Sequence, residues 1–198
     1  MSFISITPDN FPKKSVGVAI GEFVLDLAAI ANEGYFQGFD ASCFNESTLN
    51  KFMAQGPRAW ALARATVQRL LSANEPKLRD DEVLWKRALI PAQNVCMHLP
   101  AEVGDYTDFF SSREHATNVG RMFRGEDNAL QPYWLHLPVG YHGRSFSIIV
   151  SGTNVRRPCG QLQADKTDPS KGSVYGPCRV LDFELEMVRQ TTLVNRSQ

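Results

Sequence analysis

Ser15-Val16-Gly17-Val18-Ala19-Ile20-Gly21-Glu22-Phe23-Val24-Leu25-Asp26-Leu27 decides whether the N-terminal part is built on strands or on helices. Val16, Val18 and Ile20 recur at every second position, and successive side chains of a strand point to opposite faces, so these three share one face. Gly21-Glu22 is a two-residue turn with glycine first, after which Phe23, Val24, Leu25 and Leu27 return. That pattern predicts a β-hairpin over residues 15–27.

Beyond the hairpin the period changes. Residues 45–55 predict a short helix, with Asn45 or Ser47 as its cap and Leu49, Phe52 and Met53 along one face. Gly56 stops it and Pro57 opens a second helix reaching about Ala73, where Trp60, Ala63, Val67, Leu70 and Leu71 fall at helical spacing and read as core packing. Residues 78–90 carry mixed charges, and Ala88-Leu89-Ile90-Pro91 resembles the end of a small domain. After about residue 95 the chain becomes rich in Gly, Pro, His and aromatics. Strand-like runs are expected at Phe146–Val150 and Arg179–Met187, with Gly/Pro loops between them and an exposed polar loop over Gln163–Ser173. Binding residues concentrate in such loops, which makes this second region the functional one.

The bulk composition narrows the partners. Lys plus Arg equals Asp plus Glu at 21 each, so no net field favours nucleic acid or an anionic membrane. The start, Met1-Ser2-Phe3-Ile4-Ser5-Ile6-Thr7-Pro8, lacks the basic and long apolar regions of a secretory leader, and no run approaches the ~18 apolar residues of a membrane span. Cys43, Cys96, Cys159 and Cys178 are far apart with no CxxC pairing, so reduced thiols in a cytoplasmic protein are the default expectation.

Three segments carry chemistry. In Asp182-Phe183-Glu184-Leu185-Glu186-Met187, a strand would put Phe183, Leu185 and Met187 toward the core and the three acids on the other face. Alternate residues lie ~7 Å apart at Cα, so Glu184 and Glu186 could converge on one ion. The commoner reading of such a stripe is a solvated outer face; the other is a hard-cation site, where all-oxygen donors favour Mg²⁺ or Ca²⁺ over zinc. Gly104-Asp105-Tyr106-Thr107-Asp108-Phe109-Phe110-Ser111-Ser112-Arg113-Glu114-His115 is dense in groups that bind or move protons, with His115 following Asp108 in a polar segment. In Leu135-His136-Leu137-Pro138-Val139-Gly140-Tyr141-His142-Gly143-Arg144, two glycines bracket Tyr141 and His142, which describes either a tight turn or a close backbone approach to a ligand.

These strings, with Met97-His98-Leu99-Pro100, His115-Ala116-Thr117-Asn118-Val119-Gly120, Ser151-Gly152-Thr153, Arg156-Arg157-Pro158 and Glu184-Leu185-Glu186-Met187, resemble the fumarylacetoacetase family, and the likeness extends over residues 1–187. The resemblance implies a mainly β (α+β) protein. A small SH3-like barrel domain would occupy residues 1–98, and the first part of a β-rich catalytic domain residues 99–198. It further implies hydrolysis of the carbon–carbon bond of 4-fumarylacetoacetate to fumarate and acetoacetate, the last step of tyrosine and phenylalanine catabolism, by a cytoplasmic, metal-dependent homodimer. Asp108, Glu184 and Glu186 would be ligands of the catalytic cation, Ca²⁺, with Mg²⁺ at a structural site. His115 would be the base that activates water, and Arg124, Tyr141 and Phe110 would contact the substrate. Phe110 stands where the family commonly carries a tyrosine, which removes one phenolic hydrogen bond there. Val188 to Gln198 match nothing in the family pattern, and further ligand and substrate residues of the family are absent with it. The expectation for this chain by itself is therefore an inactive, truncated form. Alternatives are a non-catalytic partner of the full-length enzyme, or a related diketo-acid hydrolase.

Overall fold

The computed structural model describes residues 2–8, 13–181 and 183–188, which fall into two compact units, Met1–Ile149 and Val150–Gln198. The first unit opens with β1 (Ser2–Pro8), β2 (Ser15–Ile20) and β3 (Phe23–Asp26). The predicted hairpin is there: β2 and β3 pair antiparallel, with Gly17 opposite Asp26 and Ile20 opposite Phe23. Gly21 takes φ +54°, the left-handed turn conformation that a residue without Cβ adopts at little cost. Val16, Val18, Val24 and Leu25 are fully buried. The neighbours Val24 and Leu25 point to opposite faces, so both faces of the sheet are covered at this point.

Helices supply the cover that an apolar sheet face requires. Helix α1 (Leu27–Asn32) follows β3 directly; its cap is Asp26, whose Oδ1 accepts from the Ala28 N–H and the Ser15 hydroxyl, both at 2.9 Å. Helix α2 (Asn50–Ala54) is shorter than predicted and starts after Leu49 with no side-chain cap. Asn45 instead ends a 3-10 turn, Ala41–Asn45, capped by Asp40. Helix α3 (Gly56–Leu70) carries Pro57 in its first turn and buries Ala59, Ala63, Val67 and Leu70. Trp60, expected in the same stripe, is 40% exposed and donates its indole N–H to the Phe52 carbonyl at 3.1 Å. Phe36, Phe44 and Phe52 form an aromatic cluster within the core, with Phe44 centroids 4.8 and 4.9 Å from the other two. Two short helices follow, α4 (Pro76–Arg79) and α5 (Glu82–Ala88).

The chain then returns to the sheet. β4 (Leu89–Pro91) pairs with β3 and β5 (Val95–His98) with β1, giving the antiparallel order β4-β3-β2-β1-β5. Leu89 and Ile90 therefore belong to this sheet, as part of its edge strand. Among the described residues no pairing joins β4 to β5, so the barrel is not closed, and more of the chain is helical than extended. The expectation of a mainly β chain gives way to a mixed helix-and-strand one. Past β5 the chain is pinned to α2: Leu49 N–H donates to the Pro100 carbonyl at 2.8 Å, and Asn50 both donates to and accepts from the Glu102 backbone, at 3.0 and 2.9 Å. The unit closes with β6 (Tyr106–Phe109), α6 (Arg113–Arg124) and β7 (Gly140–Gly143); β6 and β7 form a separate antiparallel ribbon. The strand expected at Phe146–Val150 is absent, and Ser145–Ser147 form a 3-10 turn.

Among the described residues the second unit holds one hairpin, β8 (Cys159–Gln163) against β9 (Ser173–Pro177), with Leu162 opposite Val174. The polar segment between them is the predicted exposed loop. Asp165 and Asp168 each close a local turn there, and Lys171 Nζ lies 2.7 Å from Asp165 Oδ2. Residues 183–188 do not form the expected strand: Phe183, Leu185 and Met187 are 90%, 98% and 97% exposed. A strand's backbone groups need a neighbouring ladder, and among the described residues none is offered to this segment. Asp182 and residues 189–198, which include most of the atypical tail, lie outside the described residues. No helix of the described residues is long and apolar enough to cross a membrane.

Candidate active site

The ribbon of β6 and β7 carries a polar constellation of the first unit. Its register places Tyr106 opposite Gly143, Thr107 opposite His142, Asp108 opposite Tyr141 and Phe109 opposite Gly140. Tyr106 and Asp108 are two apart on one strand, and directly opposed residues share a face, so Tyr106, Asp108, Tyr141 and Gly143 lie together. Both phenols turn to the same atom. Tyr106 donates to Asp108 Oδ2 at 3.0 Å and Tyr141 donates to it at 2.9 Å. Among the described residues no hydrogen bond reaches Asp108 Oδ1.

Immediately after β6 the chain is fixed at Phe110. Its N–H donates to the Val139 carbonyl at 2.9 Å, and its carbonyl accepts the Trp134 indole N–H at 2.6 Å. Two residues on, Ser112 caps α6, its hydroxyl accepting from the His115 backbone N–H at 3.2 Å. This cap sets His115 in the first helical turn, where its imidazole meets the Phe110 ring edge-on, centroids 5.3 Å apart. The far end of α6 is shaped by Gly125, at φ +81°, and by Arg124. Arg124 donates from Nε to the Asn128 carbonyl at 3.0 Å and from Nη2 to the Ala129 carbonyl at 2.9 Å. Two of its five N–H groups thus hold the loop that follows the helix.

Two open concavities flank the ribbon. One is lined by Phe109, Phe110, Ser111, Trp134 and Leu137 to Val139; the other by Tyr106, Tyr141 to Arg144 and the 3-10 turn at Ser145–Ser147. Of the residues singled out from the sequence, the fold brings Asp108 to Tyr141 and Phe110 to His115. Arg124 sits against its own helix end. Glu184 and Glu186 belong to the second unit, where both are exposed and outside regular structure. Sequence reasoning gave no role to Tyr106 or Trp134, and for Gly143 it offered a tight turn or a ligand approach in place of the Tyr106 ring that it faces. The two-residue spacing of Tyr106 and Asp108 was a usable signal for the first; the other two depend on pairings between residues far apart in the chain.

The chain is similar to known proteins over most of its length. Residues 3–100 match the family model described as Fumarylacetoacetase N-terminal. The chain is 57% identical over 180 residues to a fumarylacetoacetase of Mus musculus, an alignment covering 89% of this chain and 42% of that protein. It is 54% identical over 178 residues to a fumarylacetoacetase of Homo sapiens, with the same 89% and 42% coverage. To one from Arabidopsis thaliana it is 48% identical over 184 residues, 91% of this chain and 43% of that protein. The chain thus spans less than half the length of the curated relatives it matches.

Proposed function

The chain belongs to the fumarylacetoacetase family, of which it carries an N-terminal portion, and from that premise we propose that it serves the hydrolysis of the carbon–carbon bond of 4-fumarylacetoacetate to fumarate and acetoacetate. The observation that carries the reading is the carboxylate of Asp108, gripped at one oxygen by Tyr106 and Tyr141 on a ribbon flanked by open concavities. Residues 1–98 are read as the SH3-like N-terminal domain and the chain from residue 99 as the start of the catalytic domain, within a cytoplasmic homodimer.

A hard divalent cation fits these donors. Asp108 keeps one carboxylate oxygen clear of hydrogen bonds among the described residues, and the implied set of Asp108, Glu184 and Glu186 is all oxygen, the chemistry that suits Ca²⁺ or Mg²⁺. Glu184 and Glu186, whose carboxylate oxygens lie within 4.8 Å of one another, are assigned to the cation by the resemblance. When bound, a cation supplies Lewis-acid polarisation of the two oxygens of a 1,3-dicarbonyl. The residues of the chain do the rest. His115, set by the Ser112 cap and the Phe110 edge, is the base that takes a proton from water. Tyr141 and Arg124 orient the substrate, the guanidinium being suited to a carboxylate end. Phe110 shapes the apolar wall beside the imidazole.

The test is a chimera in which residues 1–187 replace the matching segment of the mouse fumarylacetoacetase. It should hydrolyse fumarylacetoacetate with fumarate and acetoacetate formed in equal amounts, and Asp108→Ala should abolish turnover. A folded chimera without turnover, or one indifferent to Asp108→Ala, overturns the reading.

A further inference from the structure

We propose that Tyr106 is a positioning residue for Asp108, holding Oδ2 so that Oδ1 is the oxygen presented to a divalent cation. The inference rests on the reading of Asp108 as a cation ligand and adds a residue to which that reading gives no role.

The geometry is specific to this ribbon. The donors reach Oδ2 from two directions: Tyr106 from two positions earlier on the same strand, Tyr141 from directly across the ladder. One hydrogen bond leaves a carboxylate able to swing about the bond that carries it, whereas two from different backbone points fix its plane. The Tyr106 ring can lie along the ribbon because its cross-strand neighbour is Gly143. A Cβ at that position would overlap Tyr106 Cδ1 and come within 2.7 Å of Cε1. A glycine there serves as the floor on which the ring rests and from which the hydroxyl reaches Asp108.

The two phenols are not equivalent. Tyr141 is exposed and is the one proposed to turn toward substrate, whereas Tyr106 is half-buried between Asp108 and Gly143. When the Tyr141 hydroxyl leaves Oδ2 for substrate, Tyr106 is the donor that keeps the carboxylate oriented. Groups that orient a metal's ligands typically change affinity by ~10- to 100-fold when removed.

The experiment measures Ca²⁺ binding by the full chain through titration calorimetry, and in parallel the shift of the melting temperature on adding Ca²⁺. Tyr106→Phe should melt as the wild type does without the cation, bind Ca²⁺ about 10-fold more weakly, and show a smaller Ca²⁺-induced shift. Gly143→Ala, which keeps the phenol and displaces its ring, should weaken binding in the same direction. Asp108→Ala should remove binding. Wild-type affinity in Tyr106→Phe, with binding lost in Asp108→Ala, overturns the role of Tyr106 and leaves the reading of Asp108 standing. Unchanged binding in Asp108→Ala, or no binding by the wild type, overturns both. Should Tyr106→Phe fail to fold, wild-type affinity in folded Gly143→Ala protein overturns the proposal by itself.

Discussion

The Phe110 ring stands edge-on to the His115 imidazole, with centroids 5.3 Å apart and planes crossing at 82°. Because the Phe110 backbone is tied at both its N–H and its carbonyl, the ring is a fixed wall against which the imidazole can be held. An aromatic edge contact of this kind contributes about 0.5–1.5 kcal/mol beyond its buried area. In the chimera, Phe110→Ala should lower kcat by up to about 10-fold, the rate equivalent of that energy. Phe110→Tyr keeps the edge and restores a hydroxyl, so KM should fall with kcat nearly unchanged. Steady-state kinetics on both variants checks the split.

Gly120, on the buried side of α6, has the Ala129 carbonyl against its backbone, so that a Cβ there would overlap that oxygen. Gly120→Ala cannot be relieved by a rotamer change, since the obstacle is backbone. We expect a loss of about 1–3 kcal/mol, the usual cost of overpacking, read as a lower midpoint in urea unfolding.

Arg124 holds the same loop from the other side through its two carbonyl bonds. Arg124→Ala should therefore destabilise the protein by about 1–2 kcal/mol, near the lower end for hydrogen bonds from charged donors because the side chain is partly solvated. Arg124→Lys should recover little of this, since an ammonium cannot reproduce the fork. If Arg124 also meets substrate, the chimera carrying Arg124→Lys will show a raised KM.

The thiols should separate by reactivity. Burial, and next the nearby Asp40 charge, push the Cys43 thiol up to about 11, and it is 2% exposed. Cys96 and Cys159 are exposed. Since the thiolate is the nucleophile, alkylation at pH 8 followed by mass spectrometry should label Cys96 and Cys159 quickly and leave Cys43 unlabelled until the protein is denatured.

Among the described residues, Asp165 is the carboxylate held furthest below its ordinary value. The hydrogen bond from Lys171 first, and those from Thr167 next, lower it to about 2. A carboxyl depressed in the folded state contributes to the order of its loop above its ordinary value of 3.8 and loses that contribution as pH falls toward about 2. Carboxyl carbon shifts by NMR should show Asp165 titrating near that lower value. Lys171→Ala should move the titration up toward 3.8.

How far the sequence revealed this depended on distance along the chain. The hairpin at residues 15–27 and the stripe of α3 were legible because alternation, a glycine-first turn and a proline in the first turn are local signals. The strand-like runs at 146–150 and 179–187 formed no strand at their described residues, since a strand exists only where a partner offers its ladder. The missing cap at α2 has a different cause: Asp40, earlier in the chain, had already closed a 3-10 turn over Ala41–Asn45. At the site, Asp108 and His115 could be nominated from residue type. The grip on Asp108 could not, because Tyr141 is 33 positions away and reaches it only through the register of β6 with β7.

That register also governs what variation the ribbon tolerates. The pairing of Asp108 with Tyr141 depends on the strands alone, whereas the segment joining β6 to β7 carries α6 with His115 and Arg124 and answers to the rest of the site. A single residue inserted inside Tyr106–Phe109 is another matter. It would turn Asp108 to the opposite face and present Thr107 or Phe109 to the Tyr141 hydroxyl. Length changes within the four-residue strand should therefore be filtered by parity and its count held constant.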